Sequence, residues 1–588
     1  MSLPDMLLID ELLDGYRARR FTPLQVIEEV LERIAQAPER NAWITRIPRE
    51  QLLAWAAALA DKDMDALPLY GIPFAIKDNI DLAGVVTTAG CPEYAYVPAE
   101  SAHVIRQLIE AGAIPIGKTN LDQFATGLVG TRSPYGVGVN AFDARYISGG
   151  SSSGSAIAVA TGVVSFSLGT DTAGSGRVPA AFNNLVGLKP TCGRLSTRGV
   201  VPACRSLDCV SIFAATAADA ARVLAVAEGF DAAEAYSRSA PSSFISPLPA
   251  SFRFGVPRAT QLEFFGDAEY ARLFEEAVVR LESLGGRRVE IDFEPFLATA
   301  RLLYEGPWVA ERYAAVGAFV EHMLPVTRQI ISGGRLPTAA DAFRAQYRLK
   351  ELERRTSAVW SDIDVLVTPT AGTIYRIDEV VADPLRLNSN LGYYTNFVNL
   401  LDQAAVAAPA GFRSDGLPFG VTFIGRAWSD SALLMLADRF HGAGHSVIKP
   451  WPVMPPSSGR IYISVAVCGA HMEGLPLNHQ LTDRGAHLLS KTRTAETYKF
   501  FALSGGPPFR PGLVRVAEGG ASIELEVWAV PAEHFGSFVA GIPSPLGIGK
   551  VLLEDGTLVS GFICEPHAVT AARDITSMGS WRRYLTSI

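Results

Sequence analysis

The sequence predicts an α/β fold in which helices cover a mixed or parallel sheet, followed by a smaller β-rich domain. Three observations predict it. Helical hydrophobic spacing alternates with short apolar segments through most of the chain. A proline-rich stretch then interrupts the pattern, and beyond it apolar and polar residues alternate as they do in strands. At 588 residues the chain is also too long for one ordinary core, so at least two domains are expected.

The elements follow in order along the chain. Leucine and isoleucine at helical spacing predict helices over 5–18 and 23–36, and LYGIPFAIKDNIDLAG predicts a strand with a turn on each side. Residues 101–127 predict a helix (HVIRQLIEAG), a strand (AIPIG) and a second helix (LDQFATGL). DVLVTPT at 364–370 predicts another strand. Further helical patterns lie at 216–229, 268–284, 307–323, 339–360 and 430–443.

The composition changes at KPWPVMPPSSGR, residues 449–460, which is predicted to be a stiff linker. The predicted domains are therefore 1–448 and 461–588. In the second domain, RIYISVAVCGA, ASIELEVWAVP and GKVLLEDGTLVSGFICEP alternate, and EDGT at 554–557 predicts a hairpin turn. Six of the nine histidines lie after residue 444, so the two parts also differ chemically.

Composition excludes several classes of function. A net charge of −8 offers no electrostatic surface for nucleic acid. The six cysteines have no CxxC spacing, which argues against a zinc site and a disulfide framework. The apolar stretch Ala156–Gly169 is shorter than the roughly 20 residues of a membrane span. MSLPDMLLIDELLDGYRARR lacks the layout of a signal peptide, so a cytoplasmic protein is expected.

Two serine-bearing glycine turns, GGSSSGS at Gly149–Ser155 and GTDTAGSGR at Gly169–Arg177, are the strongest chemical signal. Glycine permits tight turns and close approach of a ligand to backbone amides. A serine in such a turn can act as a nucleophile beside amides that stabilise an oxyanion. The first 321 residues contain a single histidine, His103, within an ordinary amphipathic helix. A nucleophilic Ser175 would therefore need a base other than histidine.

The order GIPFAIKDN, GGSSSGS, GTDTAGSGR resembles the amidase signature family over about Gly71 to Thr191. The resemblance implies an amidase-signature fold and a Ser–cis-Ser–Lys triad, in which Lys77 is the base and Ser175 the nucleophile. Ser151 is then the bridging serine, preceded by a cis peptide bond. The implied oxyanion hole consists of the backbone amides of Thr172, Ala173, Gly174 and Ser175.

Elementary chemistry fits this assignment. A lysine, with a reference pKa of about 10.4, is a base only where burial keeps it neutral, and Lys77 follows four apolar residues. A serine hydroxyl can both donate and accept, and so can relay a proton. Taken singly, the serines could be a flexible loop and Lys77 a surface residue. Asp171 and Arg177 are expected to support the nucleophile loop, and Gln123 lies either near the pocket or on a solvated helix face.

Two segments, TTAGCPEY (87–94) and GTRSPYG (130–136), resemble the allophanate hydrolase branch of the family. YEGPWVAERYAAV at 304–316 resembles the substrate-recognition segment of that branch, which implies that Tyr304 and Arg312 bind the carboxylate of allophanate. Pro307 predicts a helix start, with Arg312 inside the helix and Tyr304 on the loop before it. In the alternative interpretation Arg312 pairs on the surface with Glu305 or Glu311.

The second domain resembles the domain appended to allophanate hydrolases, through VAVCGAHMEGLPLNHQL (465–481) and GIPSPLGIGKVLLEDGTLVSGFICEP (541–566). The resemblance implies a γ-glutamylcyclotransferase-like barrel, which in relatives has been proposed to decarboxylate the first product. His471 is the candidate for such an activity. The alternative is that the domain only supports assembly and backbone groups satisfy His471.

Taken together, the resemblances imply hydrolysis of allophanate to ammonia and carbon dioxide in urea catabolism, through an acyl-enzyme on Ser175 and without a metal or organic cofactor. The implied partners are a small-molecule substrate and a second copy of the chain, with a functional link to urea carboxylase and none to nucleic acid or membrane. Two alternatives stay open: an amidase for another small amide, or the catalytic subunit of an amidotransferase.

Overall fold

The computed structural model describes residues 3–241, 248–442 and 462–587. The described residues form two compact units, the larger containing 3–239 and 248–442 and the smaller 462–587. The predicted linker at 449–460 lies outside the described residues, and the domain bounds 1–448 and 461–588 stay a prediction. No helix in the described ranges is long and apolar enough to cross a membrane.

The larger unit is built on one mixed sheet of eleven strands, which confirms the predicted fold class. The sheet order is β1-β3-β2-β4-β6-β5-β10-β11-β9-β7-β8. The strand β2 runs parallel to β3 and β4, and β7 runs parallel to β8 and β9, while the other pairs are antiparallel. The strands are β1 (Trp43–Arg46), β2 (Pro73–Lys77), β3 (Ile114–Thr119), β4 (Phe166–Asp171), β5 (Val186–Lys189), β6 (Cys209–Ala214), β7 (Phe252–Pro257), β8 (Gly286–Ile291), β9 (Val365–Pro369), β10 (Gln403–Phe412) and β11 (Pro418–Arg426).

Helices cover this sheet, and every residue of β2 to β6 is consequently buried. The helices are α1 (Ile9–Arg17), α2 (Pro23–Gln36), α3 (Arg49–Ala58), α4 (His103–Glu110), α5 (Ser153–Ala160), α6 (Val178–Phe182), α7 (Ala217–Ala227), α8 (Ala268–Ser283), α9 (Glu294–Glu305), α10 (Trp308–Val316), α11 (Pro325–Ser332), α12 (Ala339–Ser357), α13 (Ile377–Ala382), α14 (Arg386–Leu391), α15 (Phe397–Leu400) and α16 (Asp430–His441).

Local sequence explains where the predicted helices begin. At α2, the Thr22 hydroxyl accepts from the Gln25 amide while the Gln25 side chain accepts from the Thr22 amide, and Pro23 occupies the first helical position. Thr338 and Asp341 form the same reciprocal cap at α12. The hydrophobic patterns predicted eight of these helices, namely α1, α2, α4, α7, α8, α10, α12 and α16.

The prediction of a helix over LDQFATGL is wrong. Only a single 3-10 turn, Gln123–Ala125, forms there, and Phe124 and Ala125 have φ angles of 51° and 53°. Both residues therefore adopt a left-handed backbone that cannot continue an α-helix. The carboxylate of Asp122 accepts the amides of Val129, Gly130 and Arg132, so the chain folds around this side chain instead.

The smaller unit is β-rich, as predicted, with a five-stranded sheet in the order β13-β16-β12-β18-β17 and a three-stranded sheet in the order β15-β14-β19. A hairpin joins β17 to β18 where EDGT predicted one. The edge strands β13 and β17 approach each other at their ends through a bridge between Thr494 and Leu553, whereas the specific barrel likeness stays a prediction. The elements are β12 (Tyr462–Val467), α17 (His479–Thr482), β13 (His487–Arg493), β14 (Tyr498–Ala502), β15 (Pro511–Arg515), β16 (Glu524–Pro531), α18 (Ala532–Ala540), β17 (Leu546–Leu552), β18 (Leu558–Cys564), β19 (Arg573–Asp574) and α19 (Trp581–Leu585).

Candidate active site

The candidate site lies where the parallel strands β2 and β4 end side by side. Lys77 is the last residue of β2, and Thr170 is the penultimate residue of β4. The carboxyl ends of neighbouring parallel strands share one edge of a sheet, so both side chains meet there. The Lys77 Nζ donates to the Ser151 Oγ and to the Thr170 Oγ1, each at 2.8 Å. The structure thus brings together the predicted base and the predicted bridging serine.

Lys77 is fully buried, and this burial gives its amine the properties of a base. Burial lowers the pKa of Lys77 from 10.5 to about 7, because removal from water penalises the charged form. The carboxylates of Asp122, Asp171 and Asp208 act in the opposite direction, and the Arg312 guanidinium adds a smaller lowering. A neutral amine near pH 7 can accept a proton from a hydroxyl.

Ser151 stands on the short loop that leads into α5. The Gly150–Ser151 peptide bond is cis, and the Ser151 carbonyl accepts from the Asp122 amide at 3.0 Å. A Cβ at Gly150 would overlap the Asp122 carboxylate, so only glycine fits at this position. The loop therefore fixes the Ser151 hydroxyl beside Lys77, with the side chain fully buried.

Ser175 stands on the turn that follows β4 and is 3 % exposed. Its hydroxyl donates to the Gly127 carbonyl at 3.5 Å, and within the described ranges no hydrogen bond joins it to Ser151. Proton transfer from Ser175 to Ser151 would therefore need its hydroxyl to turn away from Gly127. Because a hydroxyl rotates about its Cα–Cβ bond between staggered positions, such a change leaves the backbone in place.

Asp171 and Arg177 form a buried ion pair that supports the nucleophile turn, which is the turn of residues 172–176 around the candidate nucleophile Ser175. Both guanidinium atoms Nε and Nη2 of Arg177 donate to the Asp171 carboxylate at 2.9 Å, with neither side chain exposed. The same carboxylate accepts from the amides of Gly174 at 2.8 Å and Gly176 at 3.0 Å, on either side of Ser175. These contacts match the supporting function expected for the pair.

The backbone amides predicted to form an oxyanion hole differ in their contacts. The Gly174 amide donates to Asp171, whereas the amides of Thr172, Ala173 and Ser175 have no protein acceptor within the described ranges. Gly174 has a φ of +130°, and a Cβ there would lie 2.5 Å from the Thr395 Oγ1. Three amides at this turn are therefore free to point at a developing oxyanion.

Arg312 lies on α10 and is 2 % exposed, which excludes the alternative of a surface ion pair. Its Nη1 donates to the Ala125 carbonyl at 3.3 Å and to the Thr126 Oγ1 at 3.1 Å. Glu311 instead accepts from the amide and hydroxyl of Ser206. The guanidinium carbon stands 5.8 Å from the centre of the Tyr304 ring. The structure therefore pairs the two predicted carboxylate-binding residues.

The placement predicted for Tyr304 is wrong in one respect. Tyr304 lies in the last turn of α9 and not on a loop, because α9 continues to Glu305 and only Gly306 and Pro307 separate it from α10. Gln123 is buried in the 3-10 turn, where its side-chain oxygen accepts from the Leu324 amide at 2.8 Å. Gln123 is therefore neither on a helix nor solvated.

Several residues around the nucleophile turn were not predicted from the sequence. Asp208 accepts from the Thr172 hydroxyl at 2.5 Å and from the amides of Ala203 and Cys204. The Thr395 hydroxyl donates to the Ala173 carbonyl at 2.6 Å, and the side-chain Nδ2 of Asn399 donates to the Asp171 carbonyl at 2.8 Å. Of the unpredicted residues, only Thr170, which accepts from Lys77, lies within a motif that the sequence analysis singled out, GTDTAGSGR. Asp208, Thr395 and Asn399 are distant from that motif in sequence, and β6 and α15 bring them to the turn.

In the smaller unit, His471 lines a cavity of about 180 Å³ together with Cys468, Gln480, Arg510 and Phe562. Its Nε2 lies 3.0 Å from the Gln480 Oε1, and its ring stacks on Phe562 with centroids 5.0 Å apart. Burial lowers the pKa of His471, so the ring is neutral near pH 7. The His471 ring thus forms a hydrogen bond with a side chain and lines a cavity, and no backbone group of the described residues hydrogen-bonds to it.

No group of three or more histidine, cysteine, aspartate or glutamate side chains within the described ranges could hold a metal ion.

Comparison with known proteins gives two family matches. The model of the family "Amidase" matches residues 25–434, and that of the "Allophanate hydrolase C-terminal domain" matches residues 463–586. A solved structure of a Kluyveromyces lactis allophanate hydrolase variant superposes with a TM-score of 0.85 and 44 % identity, covering 100 % of this chain and 99 % of that one.

Two curated relatives differ in how much of them the chain covers. Urea amidolyase of Saccharomyces cerevisiae is 45 % identical over 95 % of this chain, but the chain spans only 32 % of that protein. The chain thus spans about a third of the length of the first curated relatives it matches. A glutamyl-tRNA(Gln) amidotransferase subunit of Moraxella catarrhalis is 32 % identical over 75 % of this chain and 98 % of its own length.

Proposed function

This chain belongs to the amidase family, and we propose that it hydrolyses allophanate (urea-1-carboxylate) to ammonia and carbon dioxide in urea catabolism. One observation supports the proposal above the rest. A fully buried Lys77 amine, its pKa lowered to about 7 by burial, donates to Ser151 at 2.8 Å on the edge of the sheet where Ser175 also stands. The likeness to the Kluyveromyces lactis allophanate hydrolase over both units supports the choice of substrate.

In the proposed reaction Ser175 attacks the terminal carbamoyl carbon of allophanate. The Ser175 proton passes to Ser151, which gives its own proton to Lys77. The free amides of the turn, those of Thr172, Ala173 and Ser175, stabilise the oxyanion of the tetrahedral intermediate. The Lys77 ammonium then returns the proton to the leaving nitrogen, so ammonia departs as the acyl-enzyme forms.

Water completes the turnover by the reverse proton path. It loses a proton toward Ser151 and Lys77 as it attacks the acyl-enzyme, and Ser175 recovers its proton when N-carboxycarbamate leaves. That product then loses carbon dioxide and breaks down to ammonia and further carbon dioxide. The backbone dipoles and buried charges supply the electrostatic stabilisation, and the scheme uses no metal or organic cofactor.

Arg312 and Tyr304 are proposed to bind the substrate carboxylate. A planar guanidinium can donate to both oxygens of a carboxylate. Within the described ranges Arg312 donates to the Ala125 carbonyl and the Thr126 hydroxyl, while the nearby carboxylates Asp208 and Glu311 accept hydrogen bonds from other groups. A bound carboxylate would give this buried cation a directly bonded anionic partner, so we expect an anionic amide to suit the site better than a neutral one.

A panel of amides tests the proposed activity. Purified protein should release ammonia from allophanate with a higher kcat/KM than from biuret, malonamate or glutamine, and Ser175→Ala should abolish that release. A preference for glutamine would favour the amidotransferase alternative, and a preference for biuret an amidase for neutral amides. Either preference would overturn the proposal.

His471 is proposed to assist decarboxylation of the first product, since it and Arg510 line a cavity large enough for a small anion. In the intact chain, His471→Gln should make N-carboxycarbamate accumulate, as followed by carbon-13 NMR from labelled allophanate. His479→Gln, on the exposed face of α17, is the matched control. If His471→Gln changes the mass of the oligomer in solution but N-carboxycarbamate does not accumulate, the alternative that the domain only supports assembly is favoured.

We further propose that the protein is a cytoplasmic homodimer that acts beside urea carboxylase. Light scattering should then give twice the chain mass of 63.0 kDa. A mass equal to that of one chain would contradict the dimer. Cell fractionation tests the location, and co-purification of a carboxylase activity that forms allophanate from urea tests the partner.

A further inference from the structure

Lys189, Cys192 and Cys209 form a buried cluster beside the nucleophile turn, and the proposed reaction does not use it. Lys189 ends β5, Cys209 begins β6, and Cys192 lies three residues beyond β5. The two sulfur atoms are 3.5 Å apart. The Lys189 Nζ lies 3.4 Å from the Cys209 Sγ and 3.9 Å from the Cys192 Sγ. The amine and the two thiols therefore lie within contact distance of one another.

Lys189 has few other partners. Its side chain is fully buried, and besides the two sulfur atoms its only hydrogen-bond acceptor within the described ranges is the Pro190 carbonyl at 2.6 Å. Burial lowers the pKa of Lys189, but the neighbouring thiols Cys192 and Cys209 and the Asp171 carboxylate more than offset this, so the pKa is raised. A buried ammonium of this kind favours a thiolate next to it.

Cys192 is the thiol best placed to ionise. Cys209 donates its S–H to the Cys192 sulfur, and this hydrogen bond together with the Lys189 charge lowers the pKa of Cys192 although burial opposes it. As a residue Cys192 is partly exposed, whereas Cys209 is 2 % exposed. The more acidic thiol thus belongs to the residue nearer to solvent, and we expect an oxidant to react with it first.

The other four cysteines provide an internal contrast. All four are buried, and burial raises the pKa of each thiol: Cys91, Cys204, Cys468 and Cys564. Structural buried thiols of this kind are chemically inert. Reactivity toward an oxidant should consequently be confined to the pair beside Lys189.

We propose that Cys192 and Cys209 are an oxidation site at which hydrogen peroxide closes a reversible disulfide. The Cys192 thiolate attacks one peroxide oxygen, the O–O bond breaks, and the departing hydroxide takes up a proton to become water. Cys209 then attacks the sulfur of the Cys192 sulfenic acid, the S–O bond breaks, and hydroxide leaves with the Cys209 proton as a second water. Two thiols lose two electrons and one peroxide is reduced.

The disulfide would act on the nucleophile turn. The sulfur atoms must approach from 3.5 Å to about 2.05 Å, which pulls the start of β6 toward Cys192. Cys209 pairs with Asp171 across β6 and β4, and the side-chain Nδ2 of Asn399 donates to both the Asp171 carbonyl and the Cys209 Sγ. Since the Asp171 carboxylate holds the amides on both sides of Ser175, closing the disulfide should lower hydrolytic activity.

Mass spectrometry of the intact protein after a peroxide titration tests the chemistry without any assay of activity. The expected product has lost two hydrogen atoms, contains a peptide cross-linked between Cys192 and Cys209, and returns to the starting mass with dithiothreitol. Cys192→Ser should form no cross-link, Cys564→Ser should oxidise like the wild type, and Lys189→Met should oxidise at least about tenfold more slowly. If Cys192 and Cys209 both still react with an alkylating reagent after peroxide treatment, the proposal is overturned. A sulfinic acid on Cys192 without a cross-link would also overturn it.

Ammonia release measured on the same samples tests the coupling to the nucleophile turn. Wild-type activity should fall in proportion to the cross-linked fraction and recover with dithiothreitol, while Cys192→Ser keeps its activity in peroxide. An equal loss of activity in Cys192→Ser, or full activity in the cross-linked protein, would refute the coupling. If the protein releases no ammonia from allophanate at all, the mass measurement still decides whether the disulfide forms.

Discussion

Replacing Lys77 by methionine should make the stability of the larger unit less dependent on pH. The lysine pKa is 10.5 in the unfolded chain and about 7 in the folded protein, because the folded site excludes water. Between these values the unfolded state binds more protons, so the free energy of unfolding rises with pH. The contribution is complete above the unfolded pKa and is lost as the pH falls through the folded one.

The magnitude follows from the shift in pKa. At about 1.4 kcal/mol for each unit, protonating Lys77 in the folded protein costs on the order of 5 kcal/mol. The corresponding change in the free energy of unfolding between about pH 6 and about pH 9 is roughly 3 kcal/mol. Methionine keeps the length and apolar volume of the side chain without the charge. Lys77→Met should therefore be more stable than the wild type near pH 6, and the difference should shrink toward pH 9.

Hydrogen–deuterium exchange in a urea series measures this locally, through peptides from β2 and β4. It avoids the ambiguity of two compact units that can unfold separately. Lys62→Met, at an exposed lysine, is the matched control and should track the wild type at both pH values. If Lys77→Met keeps the full pH dependence of the wild type, the amine is not neutral in the folded protein and cannot act as the base.

The remaining predictions concern activity and the supporting ion pair. The kcat/KM for allophanate should have an acid limb near pH 7, because only neutral Lys77 accepts the proton; a limb below pH 5 would contradict this. Ser175→Ala should lower kcat by on the order of 10⁴-fold or more while circular dichroism stays unchanged. Arg312→Lys should lower kcat/KM for allophanate by about 10- to 100-fold and leave that for biuret unchanged, since a lysine loses the two-pronged contact. Arg177→Met should cost about 3–5 kcal/mol in urea unfolding by leaving the Asp171 carboxylate buried without its partner, and the added change Asp171→Asn should restore part of that loss.

The parts of the site that the sequence predicted are those carried by short motifs. Lys77, Ser151 and Ser175 were assigned because three motifs in order resemble the amidase signature family, and the structure brings Lys77 and Ser151 together as the resemblance implies. The mixed sheet was likewise predictable from the alternation of helical and strand patterns, because burial imposes those periods directly. Where a pattern and its cause are local, a single sequence is sufficient.

The predictions that were wrong depend on contacts and chain continuations that lie outside the segment concerned. LDQFATGL has helical periodicity, but the Asp122 carboxylate takes three later amides, and this holds Phe124 and Ala125 in left-handed conformations that propensity does not anticipate. Pro307 predicts a helix start and hence a loop at Tyr304, while nothing local signals that α9 continues almost to that proline. Thr395 is brought to the nucleophile turn only by the folded sheet and helices.

In the proposed reaction one buried amine serves as both base and acid, and the three carboxylates around Lys77 are suited to support both roles. Asp171 is paired with Arg177, Asp122 accepts three amides, and Asp208 accepts a hydroxyl and two amides, so each charge is bonded elsewhere and burial still dominates at Lys77. Their field nonetheless favours the ammonium, and in the active, neutral form of Lys77 this ammonium would form when the Ser175 proton arrives. Interactions that strengthen as charge develops lower the barrier more than they stabilise the resting enzyme. The carboxylates that oppose a neutral lysine at rest are therefore the groups that stabilise it once it has taken the proton.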